Sequence, residues 1–107
     1  MAIGSRFVAY ADGAQALRGY LAVDDAGSGR RPAVLISHAW GGRSPFENSK
    51  ADWVASLGYV GFALDVYGKG KRGTTKEECS AFMTPLAQDR GLLRRRLLGA
   101  VREARSL

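Results

Sequence analysis

Residues suited to nucleophilic chemistry are scarce in this chain of 107 residues, which contains one histidine, His38, and one cysteine, Cys79. A nucleophile on a sharp strand-to-helix turn needs a glycine two residues before it and two residues after it. Cys79 has Glu77 and Ala81 at these places, and Ser37 also lacks both glycines. The sequence therefore shows no nucleophile elbow.

Both residues also have structural interpretations. Cys79 falls on a predicted helix, where a small buried packing residue is a more common role than a reactive thiol. His38 follows a predicted buried strand, and a lone histidine in such a place is more often structural than catalytic. One histidine and one cysteine, without a cluster of carboxylates, predict neither a metal site nor a disulfide within the chain. We expect no cofactor.

The stretch 68–73, Gly-Lys-Gly-Lys-Arg-Gly, has the glycine spacing of the dinucleotide fingerprint and lies between a predicted strand and a predicted helix. Its variable positions are basic, whereas that motif usually has small or apolar residues there. Asp89, at the distance of the ribose-binding carboxylate, falls within a predicted helical stretch. A basic loop of another kind is favoured. A small phosphate- or nucleotide-binding module that uses Gly68 to Gly73 stays open as the alternative.

The formal net charge is +6, from 16 basic and 10 acidic residues, but residues 89–107 alone hold six arginines against two acidic residues. Because no aromatic residues interleave with these arginines, a solvated helix face is expected rather than a nucleic-acid surface. The longest aliphatic run, 33–36, is far shorter than the ~20 residues that span a bilayer. The first residues lack a signal-peptide pattern. We expect a cytoplasmic protein with no nucleic-acid or membrane partner.

The segment that organises the chain is 32–42. Pro32 precedes four consecutive apolar residues, a pattern typical of a strand that helices bury on both faces. Ser37, His38, Ala39, Trp40 and two glycines follow directly. In open α/β sheets ligands bind just outside the carboxyl ends of the strands, so this loop is the predicted binding site.

The remaining sequence predicts the elements that position this loop. Asp12-Gly13 between alternating apolar residues indicates a hairpin, and capping and periodicity indicate helices. The predicted elements are strands at 6–11 and 16–23, a helix at 45–57, a strand at 59–66, a short helix at 75–83, a helix restarting at Thr84-Pro85, and a last helix with Leu93, Leu97, Ala100, Val101 and Ala104 on one face.

The helix at 45–57 has the clearest signals. Ser44 is a predicted N-cap, Pro45 suits the first helical position, and Glu47 completes a capping box, while Gly58 is a predicted left-handed stop. One face is expected to carry the residues Phe46, Lys50, Trp53, Val54 and Leu57. With the strands at 33–38 and 59–66, this helix predicts a right-handed βαβ unit. The fold class is therefore α/β, in a single domain over residues 1–107.

At 38–42 (His-Ala-Trp-Gly-Gly), with 58–60 (Gly-Tyr-Val) and 65–70 (Asp-Val-Tyr-Gly-Lys-Gly), the chain resembles the dienelactone hydrolase family of α/β-hydrolases. The resemblance implies a mostly parallel sheet flanked by helices, and hydrolysis of an ester or lactone by a Cys or Ser nucleophile with Asp and His. It makes the amide near Trp40 an oxyanion-hole donor. It places the pocket at His38, Ala39, Trp40, Gly41 and Gly42, with Asp65, Tyr67 and Gly68 on the rim. Ala39 stands where the type member has a glutamate.

The family's nucleophile, aspartate and histidine follow the helix that ends here at Leu107, so the resemblance implies an N-terminal half of a hydrolase. We expect a strand order of 1-2-4-3, no catalytic residue in this chain and no turnover by the chain alone. Its small ester or lactone substrate would bind once the fold is completed. The 33–38 strand is then an edge, which favours self-association or pairing with a partner strand. A non-catalytic interaction fragment is a further alternative.

Overall fold

The structure, a computed structural model, describes residues 3–24, 31–69 and 71–106. Within these ranges four strands and three helices follow one another in an α/β arrangement. They are β1 (Ile3–Asp12), β2 (Gln15–Asp24), β3 (Ala33–Ile36), α1 (Pro45–Ser56), β4 (Val60–Ala63), α2 (Lys76–Gln88) and α3 (Arg90–Ser106). No helix in these ranges is both long and apolar enough to cross a membrane.

The sheet has the order β1-β2-β4-β3, which confirms the predicted order. β1 and β2 form an antiparallel hairpin around Gly13, whose φ is 56°. β2 pairs antiparallel with β4, whereas β3 pairs parallel with β4 in the register that places Ala33 opposite Val60. β3 therefore lies at an edge. The expectation that helices bury it on both faces is wrong for Ala33 and Val34, which are exposed.

The start and stop signals of α1 are confirmed. The Ser44 hydroxyl accepts the Phe46 N–H, while the Glu47 carboxylate accepts both the Ser44 N–H and its hydroxyl. Gly58 ends the helix with a φ of 96°, where only glycine is free of strain.

The predicted apolar face of α1 is wrong for Phe46, Trp53 and Leu57, which are exposed, Trp53 by 60%, and only its apolar member Val54 is buried. The face that packs on the sheet carries smaller residues. Its buried members are Glu47, Ala51, Val54 and Ala55. Gly61 on β4 explains this choice, since a Cβ there would collide with the backbone of Ala51. Helix and strand approach too closely for large side chains.

The predicted helix restart at Thr84-Pro85 is also wrong, because α2 continues through Pro85. The helical path breaks at Asp89 instead, so the placement of Asp89 inside a helix is corrected too. Its backbone leaves the helical region, and its carboxylate accepts the Leu92 N–H in the first turn of α3. Asp89 therefore caps α3, a role that suits aspartate.

The main core lies between the sheet and the pair α2 and α3. Phe62, Leu17 and Leu86 are its most deeply buried large apolar residues. Ala100 and Ala104 of α3 join it, and Leu93 packs against its margin, so this part of the predicted α3 face is confirmed. Leu97 is one-third exposed, because it faces the cavity described below.

Candidate functional site

A cavity of about 360 Å³ opens at the carboxyl ends of β3 and β4. Its walls come from the loop after β3, the segment after β4, and both carboxy-terminal helices. They consist of Ser37, His38, Ala39, Trp40, Val66, Tyr67, Met83, Leu93 and Leu97. Among the described residues, the lining is almost entirely apolar or aromatic and includes no acidic, lysine or arginine side chain. Trp40, 45% exposed, forms part of its rim.

His38 bonds through both ring nitrogens. Its Nε2 accepts the N–H of Val66 at 3.1 Å, and its Nδ1 lies 2.9 Å from the carbonyl oxygen of Ala39. A nitrogen that accepts carries no proton, so Nδ1 holds the proton of the neutral ring and donates it to Ala39. Since both nitrogens are engaged within the protein, neither is available to a reactant.

The loop that follows His38 is held at three successive carbonyls. The N–H of Gly42 donates to the Ala39 carbonyl at 3.1 Å and closes a tight turn with Trp40 and Gly41 at its centre. The hydroxyl of Tyr67 donates to the Trp40 carbonyl at 2.7 Å. The N–H of Gly73 donates to the Gly41 carbonyl at 2.9 Å. These bonds fix the orientation of each peptide in the turn.

Gly42 is required at the end of this turn. Its φ is 95°, and a Cβ would collide with the carbonyl oxygen of Lys71. Arg43 then anchors the loop, since its buried guanidinium donates to the Arg18 carbonyl and to the Asn48 side chain, each at 2.9 Å. The glycine was predicted, but the role of Arg43 was not.

The two amides at the centre of the turn differ from its carbonyls in their hydrogen bonds. Within the ranges that the structure describes, the N–H groups of Trp40 and Gly41 donate to no protein acceptor. Both belong to peptides whose carbonyl oxygens are held. The turn therefore carries, next to the apolar cavity, two amides without an acceptor among the described residues.

Asp65, a predicted rim residue, does not line the cavity. It is fully buried, and its carboxylate accepts the backbone N–H groups of Arg18, Tyr67 and Gly68 at 2.9–3.1 Å. Tyr10 contacts its backbone, and burial raises the pKa of the Tyr10 hydroxyl to about 12. Asp65 thereby sets the path of the segment that carries Tyr67.

Tyr67 lines the cavity and packs its ring 4.7 Å from that of His38. Burial raises the pKa of its hydroxyl, and the nearby Cys79 adds to that effect. The hydroxyl therefore stays protonated at neutral pH and keeps donating to the Trp40 carbonyl. Gly68, also predicted for the rim, lies outside the lining and takes a φ of 104° that turns the chain away.

Neither sequence candidate for a nucleophile is activated. Cys79 is buried on α2 with its sulfur against Gly73, as the packing interpretation predicts. Ser37 lines the cavity, but its hydroxyl lies 3.5 Å from the His38 carbonyl and has no basic partner. The described ranges contain no group of three or more His, Cys, Asp or Glu side chains that could hold a metal ion.

The glycine-rich loop uses its amides within the protein. The N–H groups of Gly68, Lys69, Lys71 and Gly73 donate to Asp65, Ala16, Gly68 and Gly41 respectively. Gly70 lies outside the described residues. A phosphate cradle needs free, converging amides, so these internal bonds do not favour the nucleotide-binding alternative.

Several residues that shape the site were not predicted for it. Val66 fixes His38, while Met83, Leu93 and Leu97 form the cavity wall. Leu93 and Leu97 do share the predicted apolar face of the last helix, at i and i+4. Their spacing indicated burial, but not that they would bound a cavity.

Solved structures resemble the chain over nearly its whole length. A protein designated m3DLH is 26% identical, with a TM-score of 0.95 over 100% of this chain and 45% of that one. A dienelactone hydrolase-like promiscuous phosphotriesterase, P91, from metagenomic libraries is 28% identical, with a TM-score of 0.92 over 97% of this chain and 43% of that one.

A candidate dienelactone hydrolase from Klebsiella pneumoniae subsp. pneumoniae shares the fold, at 16% identity and a TM-score of 0.72 over 97% of this chain and 46% of that one. The chain thus spans less than half the length of these structures. No curated protein sequence matches it significantly. Residues 17–107 match the model of the dienelactone hydrolase family. The chain therefore belongs to the dienelactone hydrolase family.

Proposed function

We propose that this chain supplies the oxyanion loop and a pocket wall of an ester or lactone hydrolase of the dienelactone hydrolase type. The observation that carries the proposal is the turn at 39–42. Its carbonyls are held by protein donors, while the N–H of Trp40 has no acceptor in the described ranges and the residue lines the cavity. In this role the Trp40 amide receives the oxygen of the substrate carbonyl.

A fixed amide favours the transition state more than the ground state. During acyl transfer the carbonyl oxygen gains negative charge, and a preorganised donor stabilises that charge without reorganising. One such donor contributes about 2.7–4 kcal/mol to the transition state. The apolar walls strengthen this interaction, because they lower the local dielectric.

The lining also indicates the substrate. As far as the chain is described, it combines aliphatic and aromatic side chains without arginine or lysine, so it suits the apolar part of a neutral ester or lactone. The structural relative P91 is described as a promiscuous phosphotriesterase. Phosphotriesters are also neutral and develop charge on a non-bridging oxygen, so we include them as candidate substrates.

Chemistry at this site requires a nucleophile that the chain does not activate. Cys79 is buried against Gly73, and both nitrogens of His38 are engaged. We therefore expect the 107-residue chain to bind esters weakly and to show no turnover of p-nitrophenyl acetate above the rate of a C79S variant. Robust hydrolysis by the chain would contradict this part of the proposal.

The binding test is an NMR titration of the ¹⁵N-labelled chain with phenyl acetate, beside ethylbenzene as a control of similar shape without the carbonyl. Both compounds should shift signals from Leu93 and Leu97. Only the ester should move the amide proton of Trp40 downfield, as expected of a new hydrogen bond. Equal shifts of that amide with both compounds, or no shift with the ester, would exclude the oxyanion role.

A pair of substitutions separates the amide from the indole. Trp40 occupies the second position of a tight turn, where proline is well accepted, so Trp40→Pro removes the N–H while keeping the turn. Trp40→Ala keeps the N–H and removes the ring. We expect binding of phenyl acetate relative to ethylbenzene to fall with Trp40→Pro and to persist with Trp40→Ala.

A further inference from the structure

We propose that His38 is a positioning residue that sets the direction of the Trp40 N–H, acting through the Ala39–Trp40 peptide. This inference rests on the proposed function, since it assigns a task to a residue beside the oxyanion loop. It begins from the two hydrogen bonds of the ring, which join the loop after β3 to the segment after β4.

The first bond fixes the ring. The N–H of Val66 points at Nε2 from 3.1 Å, and a backbone N–H can only donate. The imidazole is therefore neutral with its proton on Nδ1. Its face packs on Tyr67, with ring centroids 4.7 Å apart and planes inclined by 56°. Neither tautomer exchange nor ring rotation is compatible with these contacts.

The second bond, to the Ala39 carbonyl, fixes the orientation of the Ala39–Trp40 peptide. The Ala39 carbonyl oxygen accepts from His38 Nδ1 at 2.9 Å and from the Gly42 N–H at 3.1 Å. In a planar trans peptide the C=O and the following N–H point in opposite directions. Holding the oxygen of Ala39 with two donors therefore holds the N–H of Trp40 in the opposite direction.

The same bonds strengthen the donor. A carbonyl that accepts two hydrogen bonds polarises its peptide, and chains of hydrogen bonds reinforce one another. The Val66 N–H, the imidazole, the Ala39 carbonyl and the Trp40 N–H form such a chain. Tyr67 holds the next carbonyl, that of Trp40, in the same manner. His38 and Tyr67 thus orient consecutive peptides.

The first test needs no substitution. Long-range ¹H–¹⁵N NMR of the histidine ring distinguishes the two neutral tautomers by the ¹⁵N shifts. We expect a protonated Nδ1 and an unprotonated Nε2 at neutral pH, the reverse of the tautomer that free histidine prefers in water. A protonated Nε2 would overturn the proposal, because the Val66 N–H could not then donate to it.

The second test uses two variants and the phenyl acetate titration. His38→Phe keeps a planar ring but removes both bonds, whereas His38→Asn keeps a donor near the position of Nδ1. The ester-induced shift of the Trp40 amide should be lost in His38→Phe and partly restored in His38→Asn. A merely structural role would lower stability without this selective change, so an unchanged shift in folded His38→Phe would contradict the proposal.

The two proposals can fail separately. If phenyl acetate leaves the Trp40 amide of the unmodified chain unchanged, the oxyanion role fails. The tautomer, and the resonance of the Trp40 amide without ligand in His38→Phe, still decide whether His38 orients that peptide. If His38→Phe leaves that resonance in place while the unmodified chain responds to the ester, the positioning role alone is wrong.

Discussion

The two faces of the sheet are packed in different ways. On the α1 face the fully buried contact is made by the alanines Ala22, Ala51, Ala55 and Ala63 with Gly61 among them, and larger residues pack only at its margin. On the opposite face α2 and α3 cover large side chains such as Phe62 and Leu17. The difference teaches that a helix in close contact buries its small residues, so its most hydrophobic stripe can face solvent.

The largest effect is expected when a glycine on each face of the sheet is replaced by alanine, which adds one methyl group there. A Cβ at Gly61 would lie 2.8 Å from the Ala51 Cα and meet backbone that cannot yield, so Gly61→Ala should cost about 3 kcal/mol or more of unfolding free energy. A Cβ at Gly19 on the other face would meet the far edge of the Phe62 ring and lie 3.0 Å from the carbonyl oxygen of Ala63.

We expect Gly19→Ala to cost about 1–2 kcal/mol, because the ring can shift slightly. Chemical denaturation followed by circular dichroism measures both values. Gly58→Ala is the control for backbone strain without a clash, since its φ is 96° and nothing lies within 4 Å of the added atom. Equal costs at Gly61 and Gly19 would show that the two faces do not differ in tightness.

The outer edge of β3, which pairs with no strand other than β4 among the described residues, gives the next prediction. The carbonyls of Pro32 and Ile36 bond to β4, so in a parallel ladder the polar groups of Ala33 and Leu35 point away from it. We propose that two chains pair antiparallel through this edge around a two-fold axis near Leu35. Unpaired, apolar edges favour such pairing.

Light-scattering chromatography should therefore show a dimer that dissociates on dilution. Val34→Lys should give a monomer, because a lysine on an edge strand opposes pairing, whereas Val34→Thr should keep the dimer. A single monomeric species at all concentrations of the unmodified chain would contradict this proposal.

The arginines that attach α3 to the sheet should affect stability less. The predicted solvated arginine face is incorrect for Arg96, whose side chain is 13% exposed and donates to Asp12 and to the Val66 carbonyl. Arg95 also binds Asp12 but is 62% exposed. Arg96→Met should cost about 1–3 kcal/mol, because it leaves a carbonyl unsatisfied. Arg95→Ala should change stability by no more than about 0.5 kcal/mol.

The same attachment predicts a pH dependence. The hydrogen bond from Arg95, with the charge of both arginines, holds the pKa of Asp12 below its ordinary value of 3.8. A carboxylate with a lowered pKa stabilises the fold above its unfolded pKa and loses that contribution as the pH falls through its folded value. Denaturation at pH 5 and pH 2.5 should show a smaller loss for Asp12→Asn than for the unmodified chain.

The smallest expected effect is on the exposed stripe of α1. Trp53→Ala should change the unfolding free energy by no more than about 0.5 kcal/mol, because the ring packs on little of this chain. Its neighbour Val54 is buried, and Val54→Ala should cost about 1–2 kcal/mol. A larger effect at Trp53 than at Val54 would reverse the assignment of the two faces of α1.

Local sequence signals predicted the turn of the hairpin and both ends of α1. The capping box at Ser44 and Glu47, the stop at Gly58 and the turn at Gly13 depend on neighbouring residues, and each is present. The inner face of α1 depends on a distant glycine, Gly61, so periodicity alone selected the wrong side. The break at Asp89 was missed because Thr84-Pro85 offered a stronger local signal that the packing of α2 overrides.

The position of the candidate site could be predicted from the sequence, but the hydrogen bonds that fix its residues could not. The loop after a strand that the sequence predicts to be buried indicated His38 and Trp40, and the structure brings both to the cavity. The bonds that orient them come from Val66 and Tyr67, which belong to a different strand connection. Such bonds join residues nearly thirty positions apart, and no spacing in the sequence reports them.

The contact between Asp12 and α3 has a consequence for the order of folding. It joins residues 83 and 84 positions apart, whereas the hairpin and the α1–β4 unit form from nearby residues. Loop-closure entropy must be overcome before so distant a contact can stabilise anything. We expect α3 to dock after the transition state, so weakening this contact should accelerate unfolding and leave the folding rate almost unchanged. Asp12 then governs how long the folded state persists rather than how quickly it forms.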